Sequence, residues 1–238
     1  MKKLAVFLEG QTERLFVESL IQYSARNSRV QIQSKRGNLG RKHQRIFFEV
    51  SAKNIGTGND FYILVIDSGS DNNVISDIKE LYQNLVKQDF SLVVGFRDVR
   101  PDFSRREISK LRRGLYSSIP AVPKLPVEFR LAIMEVEAWF LAENTHFKRF
   151  DRRLTRAKIE AELGFFPDDN ISETRDFPSD DLDRIHKTIG KRYDKSYAVV
   201  SNVISSLNYQ NLVDLHSLKI TDLGGLVRDL TDFLQADV

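Results

Sequence analysis

Apolar and polar positions follow two rhythms along the chain. Up to about residue 142, short apolar runs end at a glycine, a proline or an acid and alternate with longer stretches in which apolar residues recur at helical spacing. Residues 3–8 (KLAVFL) predict a buried strand. Gly10 ends it, and Leu15, Phe16, Leu20 and Tyr23 line one face of a helix over 12–25. Residues 30–33 and 46–50 predict short strands on either side of a charged, glycine-containing loop at 35–44, and Gly56, Gly58 and Asn59 predict a turn. The run FYILVI at 61–66 is apolar throughout, as in a parallel strand covered on both faces. A helix at 74–88, a strand at 91–96, a basic helix at 104–113 and a strand at 129–133 follow, with Pro120, Pro123 and Pro126 as a linker and EVEAWFLAE as a further helix.

Beyond about residue 145 no strand pattern remains. Helices are expected over 155–163, 180–190, 196–206 and 217–234, with a polar loop at 168–177 and a bend at Gly224-Gly225. Alternating strand and helix argue for an α/β fold with a mostly parallel sheet flanked by helices. The division expected is an α/β core over 1–145 and a helical extension over 146–238.

With 238 residues, 41% of them hydrophobic, the chain can bury a sizeable core. It has no cysteine, which excludes disulfides, thiolate zinc sites and cysteine nucleophiles. MKKLAVFLEGQTE reaches Glu9 before a signal-peptide core could form, and no window approaches about 20 apolar residues, so a cytoplasmic protein without a membrane segment is expected. The net charge of +3 matters less than its distribution. Positions 19–48 carry no acid but contain Lys35, Arg36, Arg41 and Lys42, and a second basic zone holds Arg97, Arg100, Arg105 and Arg106. Separation of this kind suits contact with a polyanion such as nucleic acid, DNA or RNA.

The candidate chemistry lies at strand ends. In open α/β sheets ligands bind outside the carboxyl ends of the strands. Here 3–8 is followed by Glu9, 61–66 by Asp67 in DSGSDN, and 129–134 by Glu135 and Glu137. Each acid alone reads as a polar strand terminus or a first-turn helix acid. Carboxylates converging on one edge would need a cation to stay ionised together, and an all-oxygen set suits Mg²⁺ or Mn²⁺.

EGQTE after the first strand, the Asp-containing turn DSGSDN after a later one, and a downstream acid resemble the Toprim domain of topoisomerases, bacterial primases and nucleases of the OLD type. MEVEAWFLAE and KRYDKSYA resemble segments of small stand-alone Toprim-like proteins of bacterial defence loci, encoded beside an ABC-type ATPase. The resemblance implies a Toprim-like, Rossmann-like sheet and a metal-dependent nuclease, a hydrolase acting in anti-phage defence with that ATPase as partner. It makes Glu9 a ligand or general base, Glu13 and Asp67 metal ligands, Glu137 (or Glu135) the downstream acid, and Lys195 (or Lys191) the stabiliser of phosphate charge. Position 69 is glycine where that pattern has its second Asp, and Asp71 is the nearest replacement, leaving one metal or two open.

Other chemistries find less support. The four histidines show no ligand spacing, and neither a P-loop nor a G-x-S-x-G elbow is present. Tyr193 and Tyr197 are expected in the core or stacked on bases. Two further readings stand beside the nuclease: an interaction protein bound to an ATPase, with a weak or absent centre, and another phosphoryl-transfer enzyme on the same fold. A homodimer is among the candidate assemblies.

Overall fold

In a computed structural model, the structure describes residues 1–26, 28–39, 45–117, 119, 123–168 and 170–235. The chain divides into two compact units. The first comprises Met1–Arg97, Arg106–Leu131 and Arg228–Val238, the second Asp98–Arg105 and Ala132–Val227. The division therefore does not fall at residue 145: residues 132–145 group with the helical segment, and the last stretch of the chain groups with the sheet.

The first unit is built on a six-stranded, mostly parallel sheet. Its strands are β1 (Lys2–Leu8), β2 (Val30–Leu39), β3 (Arg45–Ile55), β4 (Phe61–Asp67), β5 (Leu92–Asp98) and β6 (Val127–Ala132), in the order β3-β2-β4-β1-β5-β6. Strand β1 runs parallel to β4 and β5, and β2 is parallel to β4 but antiparallel to β3. Central β1 and β4 are apolar because helices cover both faces. Helix α1 (Gln11–Ser24) sends Phe16, Val17, Leu20 and Ile21 into the core and packs on β4. Helix α2 (Asp71–Lys87) packs on β1, and its Tyr82 hydroxyl donates to Leu125 O (3.1 Å). Helix α3 (Ile108–Tyr116) follows a 3₁₀ turn at Arg105–Glu107.

The segment expected as a loop at 35–44 is strand as far as Leu39, and β3 extends well past position 50. Lys35, Arg36, Gly37 and Asn38 carry no apolar alternation, so sequence pattern could not reveal the strand. Ladder bonds to β3 on one side and β4 on the other supply what propensity does not.

The second unit is helical: α4 (Glu137–Ala142), α5 (His146–Phe150), α6 (Arg156–Leu163), α7 (Ile171–Thr174), α8 (Pro178–Lys187), α9 (Tyr197–Ser206) and α10 (Tyr209–Asp214). Trp139, Phe140, Phe147, Leu182, Ile185 and Val203 are fully buried there. Helix α11 (Thr221–Gln235) starts in this unit and ends in the first, where Asp229 holds Arg130 through two 2.8 Å bonds and Phe233 meets Phe61 edge-on at 5.3 Å. The helix is not interrupted at Gly224-Gly225; α11 runs through both. Glycine is needed at 224 because the Ser217 carbonyl lies where a Cβ would sit. Among the described residues, no helix is long and apolar enough to cross a membrane.

Candidate active site

At the carboxyl edge of the sheet, Leu8 on β1 is in register with Asp67 on β4 and with Phe96 on β5. The Ser68 amide donates to Leu8 O at 2.8 Å, so the chain leaves β1 and β4 side by side, into Glu9 and from Asp67. Glu9 is buried, with its Oε1 3.6 Å from Arg97 Nε. Glu13, in the first turn of α1, is also buried and folds back over Gly10, its Oε2 lying 3.4 Å from where a Cβ on that glycine would stand. The sequence spacing Glu9–Gly10–Glu13 thus places two carboxylates around one strand exit.

Asp67 is 1% exposed. Its Oδ1 accepts the Gly69 amide (3.0 Å), while its Oδ2 has no hydrogen-bond partner among the described residues. The nearest charges to Oδ2 are Arg14 Nε and Arg36 Nε, each at 3.8 Å. Burial pushes the Asp67 carboxyl above its usual range, opposed by Arg36, the Gly69 amide, Arg14 and Arg45. Gly69 sits at φ +76°, a left-handed backbone that suits glycine. The turn that caps Asp67 therefore calls for glycine at the position where the resemblance has its second Asp. Behind it, Arg45 grips fully buried Asp77 (2.8 and 2.7 Å) and donates to Ser68 O (2.7 Å), fixing the turn to α2. Asp71 opens α2, and its side chain lies outside the described residues.

A second cluster lies within the helical unit. Glu137 is fully buried; its Oε1 accepts the Tyr193 hydroxyl (2.9 Å) and meets the Lys195 ammonium at 3.0 Å, while its Oε2 has no hydrogen-bond partner among the described residues. Glu135 accepts the Ser179 amide (2.8 Å) and hydroxyl (3.0 Å) and stands 3.9 Å from both Arg100 and Lys195. Asp98 accepts the Val136 amide at 3.0 Å, just ahead of α4. Burial works against a charged Lys195, but Glu137, Glu135 and Asp98 outweigh it and raise its pKa, so the amine stays protonated. Met134 (φ +68°) and Lys195 (φ +56°) are both non-glycine residues held in left-handed backbone at this cluster.

Of the two lysines the sequence leaves open, Lys195 is the one at Glu137. Lys191 pairs with Asp151 (3.4 Å) and lies 4.7 Å from the Phe150 ring centroid. Tyr193 is buried and committed to Glu137, so it is no base-stacking platform; Tyr197 is exposed. Among the basic residues, Lys35 is half-buried and Arg36 exposed on β2, and Arg106 is exposed. Arg105 pairs with Asp176 (3.1 Å) and donates to Arg175 O (2.7 Å). Arg41 and Lys42 lie outside the described residues. Arg14 and Asp98 carry no sequence signal that marks them as site residues: Arg14 reads as an ordinary helix charge and Asp98 as the polar end of a strand. Arg97 is legible from sequence as part of the second basic zone, but not as the partner of Glu9.

Among the described residues, no group of three or more acidic or histidine side chains is gathered as a metal cage. No family model matches the chain. No curated protein matches its sequence. Among solved structures, the "putative cell surface hydrolase" of Lactobacillus plantarum WCFS1 aligns at 13% identity over 65% of this chain and 62% of its own, with a TM-score of 0.31. A likeness at that level says nothing about the chemistry of this chain.

Proposed function

We propose that the chain is a metal-dependent phosphodiesterase acting on nucleic acid, with a Toprim-like sheet and Glu9, Glu13 and Asp67 as the residues that would hold Mg²⁺ or Mn²⁺. The observation that carries this reading is Asp67, buried at the exit of a central strand with one carboxylate oxygen left without a hydrogen bond. Among the described residues, Glu9, Glu13 and Asp67 are not gathered as a three-carboxylate cage; what supports the reading is the chemistry of their oxygen donors. Mg²⁺ is commonly held by one or two carboxylates plus water and substrate phosphate, so it needs no closed protein cage. When bound, the cation would polarise a phosphate oxygen and a water at the strand edge.

The chain's own groups supply the rest. Glu9, one strand over from Asp67, is the candidate base for the attacking water. Arg14 and Arg36, 3.8 Å from Asp67 Oδ2, are close enough to turn toward a phosphate brought to that carboxylate. Within the second unit, Lys195 is held protonated beside Glu137, a state suited to pairing with an anion and not to proton abstraction.

The test incubates the chain with single- and double-stranded DNA and with RNA, in Mg²⁺, in Mn²⁺ and in chelator, beside Glu9→Gln and Asp67→Asn. Metal-dependent cleavage lost in both variants is expected. Cleavage that survives both substitutions would remove this site from the reaction. A second reading, an effector that binds an ATPase partner without hydrolysing a phosphodiester, is favoured by Gly69 at φ +76° in place of the second Asp. Absence of cleavage with and without such a partner, together with a stable complex, would select it.

A further inference from the structure

Strand β3 is an edge of the sheet, and edge strands usually carry charge or proline where they meet solvent. This one exposes Ile46 (42%), Phe48 (52%) and Val50 (44%). Phe48 stands directly opposite Arg36 on β2, and Arg36 is in register with Asp67 on β4. Partners directly opposite in neighbouring strands project from the same face of a sheet. Phe48, Arg36 and Asp67 therefore form one row across three strands, running from an exposed ring, through an exposed guanidinium, to the buried site carboxylate. Two strand spacings, about 10 Å, separate the backbone positions of Phe48 and Asp67, which is the rise of about three stacked nucleotides. Arg36 already bends toward the acid, its Nε 3.8 Å from Asp67 Oδ2.

The geometry points to single-stranded nucleic acid as the substrate class, with an unpaired base stacked on Phe48 and the adjoining phosphate held by Arg36 on its way to Asp67. An aromatic ring beside a cation is the pairing that single-strand binders use: the ring takes any base face and the cation follows the backbone. Bases paired and stacked inside a duplex offer no free face to such a ring. The apolar character of Phe48, opposite Arg36, and of Ile46, opposite Asn38, serves base contact and not phosphate contact alone. The inference gives the proposed phosphodiesterase its substrate class and rests on that reading for its purpose.

The experiment measures binding without turnover. The full chain carrying Glu9→Gln, in chelator, is titrated into a fluorescein-labelled 12-nucleotide oligothymidylate and into a 12-base-pair duplex, with anisotropy as readout. Phe48→Ala is expected to weaken single-strand binding by about 5- to 150-fold and to leave duplex binding within twofold, while Phe48→Trp retains it. Arg36→Gln is expected to lower the slope of log affinity against log salt by about 0.7. Circular dichroism establishes that each variant is folded. The inference is overturned if the parent binds no single strand, if Phe48→Ala leaves single-strand affinity within twofold, or if it weakens both ligands equally. Sedimentation adds a further outcome against it: a dimer that Phe48→Ala dissociates while single-strand affinity holds would make β3 a self-association edge. Failure of the cleavage assay leaves this readout intact, so the two proposals fail separately.

Discussion

Replacing Asp67 by Asn should stabilise the protein while abolishing its response to metal. The isostere keeps an oxygen to accept the Gly69 amide, now at 3.0 Å, and removes a charge from a residue that is 1% exposed. Arg14 is not orphaned by the change, because Glu18 holds it at 2.8 Å. A buried polar atom without a partner costs about 1–3 kcal/mol, and the two guanidinium groups at 3.8 Å offset part of that for the ionised form. The net gain expected from Asp67→Asn at pH 7 is about 1 kcal/mol, or about 2–4 °C in Tm for a chain of this size. The pH dependence fixes the sign. The folded-state pKa of Asp67 is raised, so its stabilising contribution is present at low pH and is lost as pH rises through that pKa. The difference between variant and wild type should therefore be largest near neutrality and close as the pH falls. Mn²⁺ at a hundred times its dissociation constant would stabilise the wild type by about 2.7 kcal/mol and the variant not at all, reversing their order. Urea unfolding followed by circular dichroism, with and without Mn²⁺ and at several pH values, reads all of this. A metal-free variant less stable than wild type by more than about 1 kcal/mol would show that the arginines already satisfy the ionised carboxylate. A variant that keeps its Mn²⁺ shift would refute the ligand assignment.

Three other expectations concern neighbouring features. Gly69→Asp, which restores the second acid of the Toprim-like pattern, should lower stability by about 1–2 kcal/mol because of the left-handed backbone at φ +76°, without tightening Mn²⁺ binding in calorimetry; tighter binding would show that the turn can accept the acid. Lys195→Met leaves fully buried Glu137 with only the Tyr193 hydroxyl on Oε1; because Lys195 is itself half-exposed, a loss of about 1–3 kcal/mol, partly recovered in the double variant with Glu137→Gln, is expected in a urea double-mutant cycle, and strictly additive losses would show that the pair is not coupled. His146 and His186 are buried, and burial lowers their pKa values to about 3 and about 4. Both are neutral in the fold, so the stability they contribute is complete above about pH 6.5 and drains away as pH falls toward those values. Fluorescence of Trp139, the single tryptophan, should report acid unfolding of the helical unit in that window, shifted to lower pH by His186→Phe; an unshifted midpoint would count against the assignment.

The sequence reading succeeds where periodicity is strong. The central strands 3–8 and 61–66, and the helices that cover them, carry apolar patterns that only a buried layer requires, so β1, β4, α1 and α2 are legible. The β2–β3 hairpin is not, since Lys35, Arg36, Gly37 and Asn38 are held in a strand by the neighbours they pair with and not by what they bury. Helices α5 and α10 span only His146–Phe150 and Tyr209–Asp214, too short to display a helical period. Among the candidate residues, Glu9 and Asp67 announce themselves as acids ending apolar runs, and Glu13 enters only through the EGQTE resemblance. Their cationic partners are not legible as such: Arg14 faces Asp67 from a helix, and Arg97 approaches Glu9 from an adjacent strand, relations that exist only once the sheet order is known.

What separates these acids from ordinary buried carboxylates is the state of their oxygens. Glu18 has Arg14 and Ser34 on Oε1 and Lys53 on Oε2. Asp77 and Asp181 each receive two bonds from one guanidinium, Arg45 and Arg175 respectively. Glu143 has Asn211 on Oε1 and Arg149 and Asn208 on Oε2. These four have both oxygens engaged and act as fasteners between elements, which is what burial of a carboxylate for stability demands. Among the described residues, the buried carboxylate oxygens left without a hydrogen bond are Asp67 Oδ2 and Glu137 Oε2. Both belong to acids that the strand-end pattern of the chain marks as candidates on its own. Under the proposed function, the open oxygen of Asp67 is the position a cation would take; a packing defect would leave it open as well. Loss of Mn²⁺ binding in Asp67→Asn, coupled to the gain in stability, is the outcome that would separate those explanations.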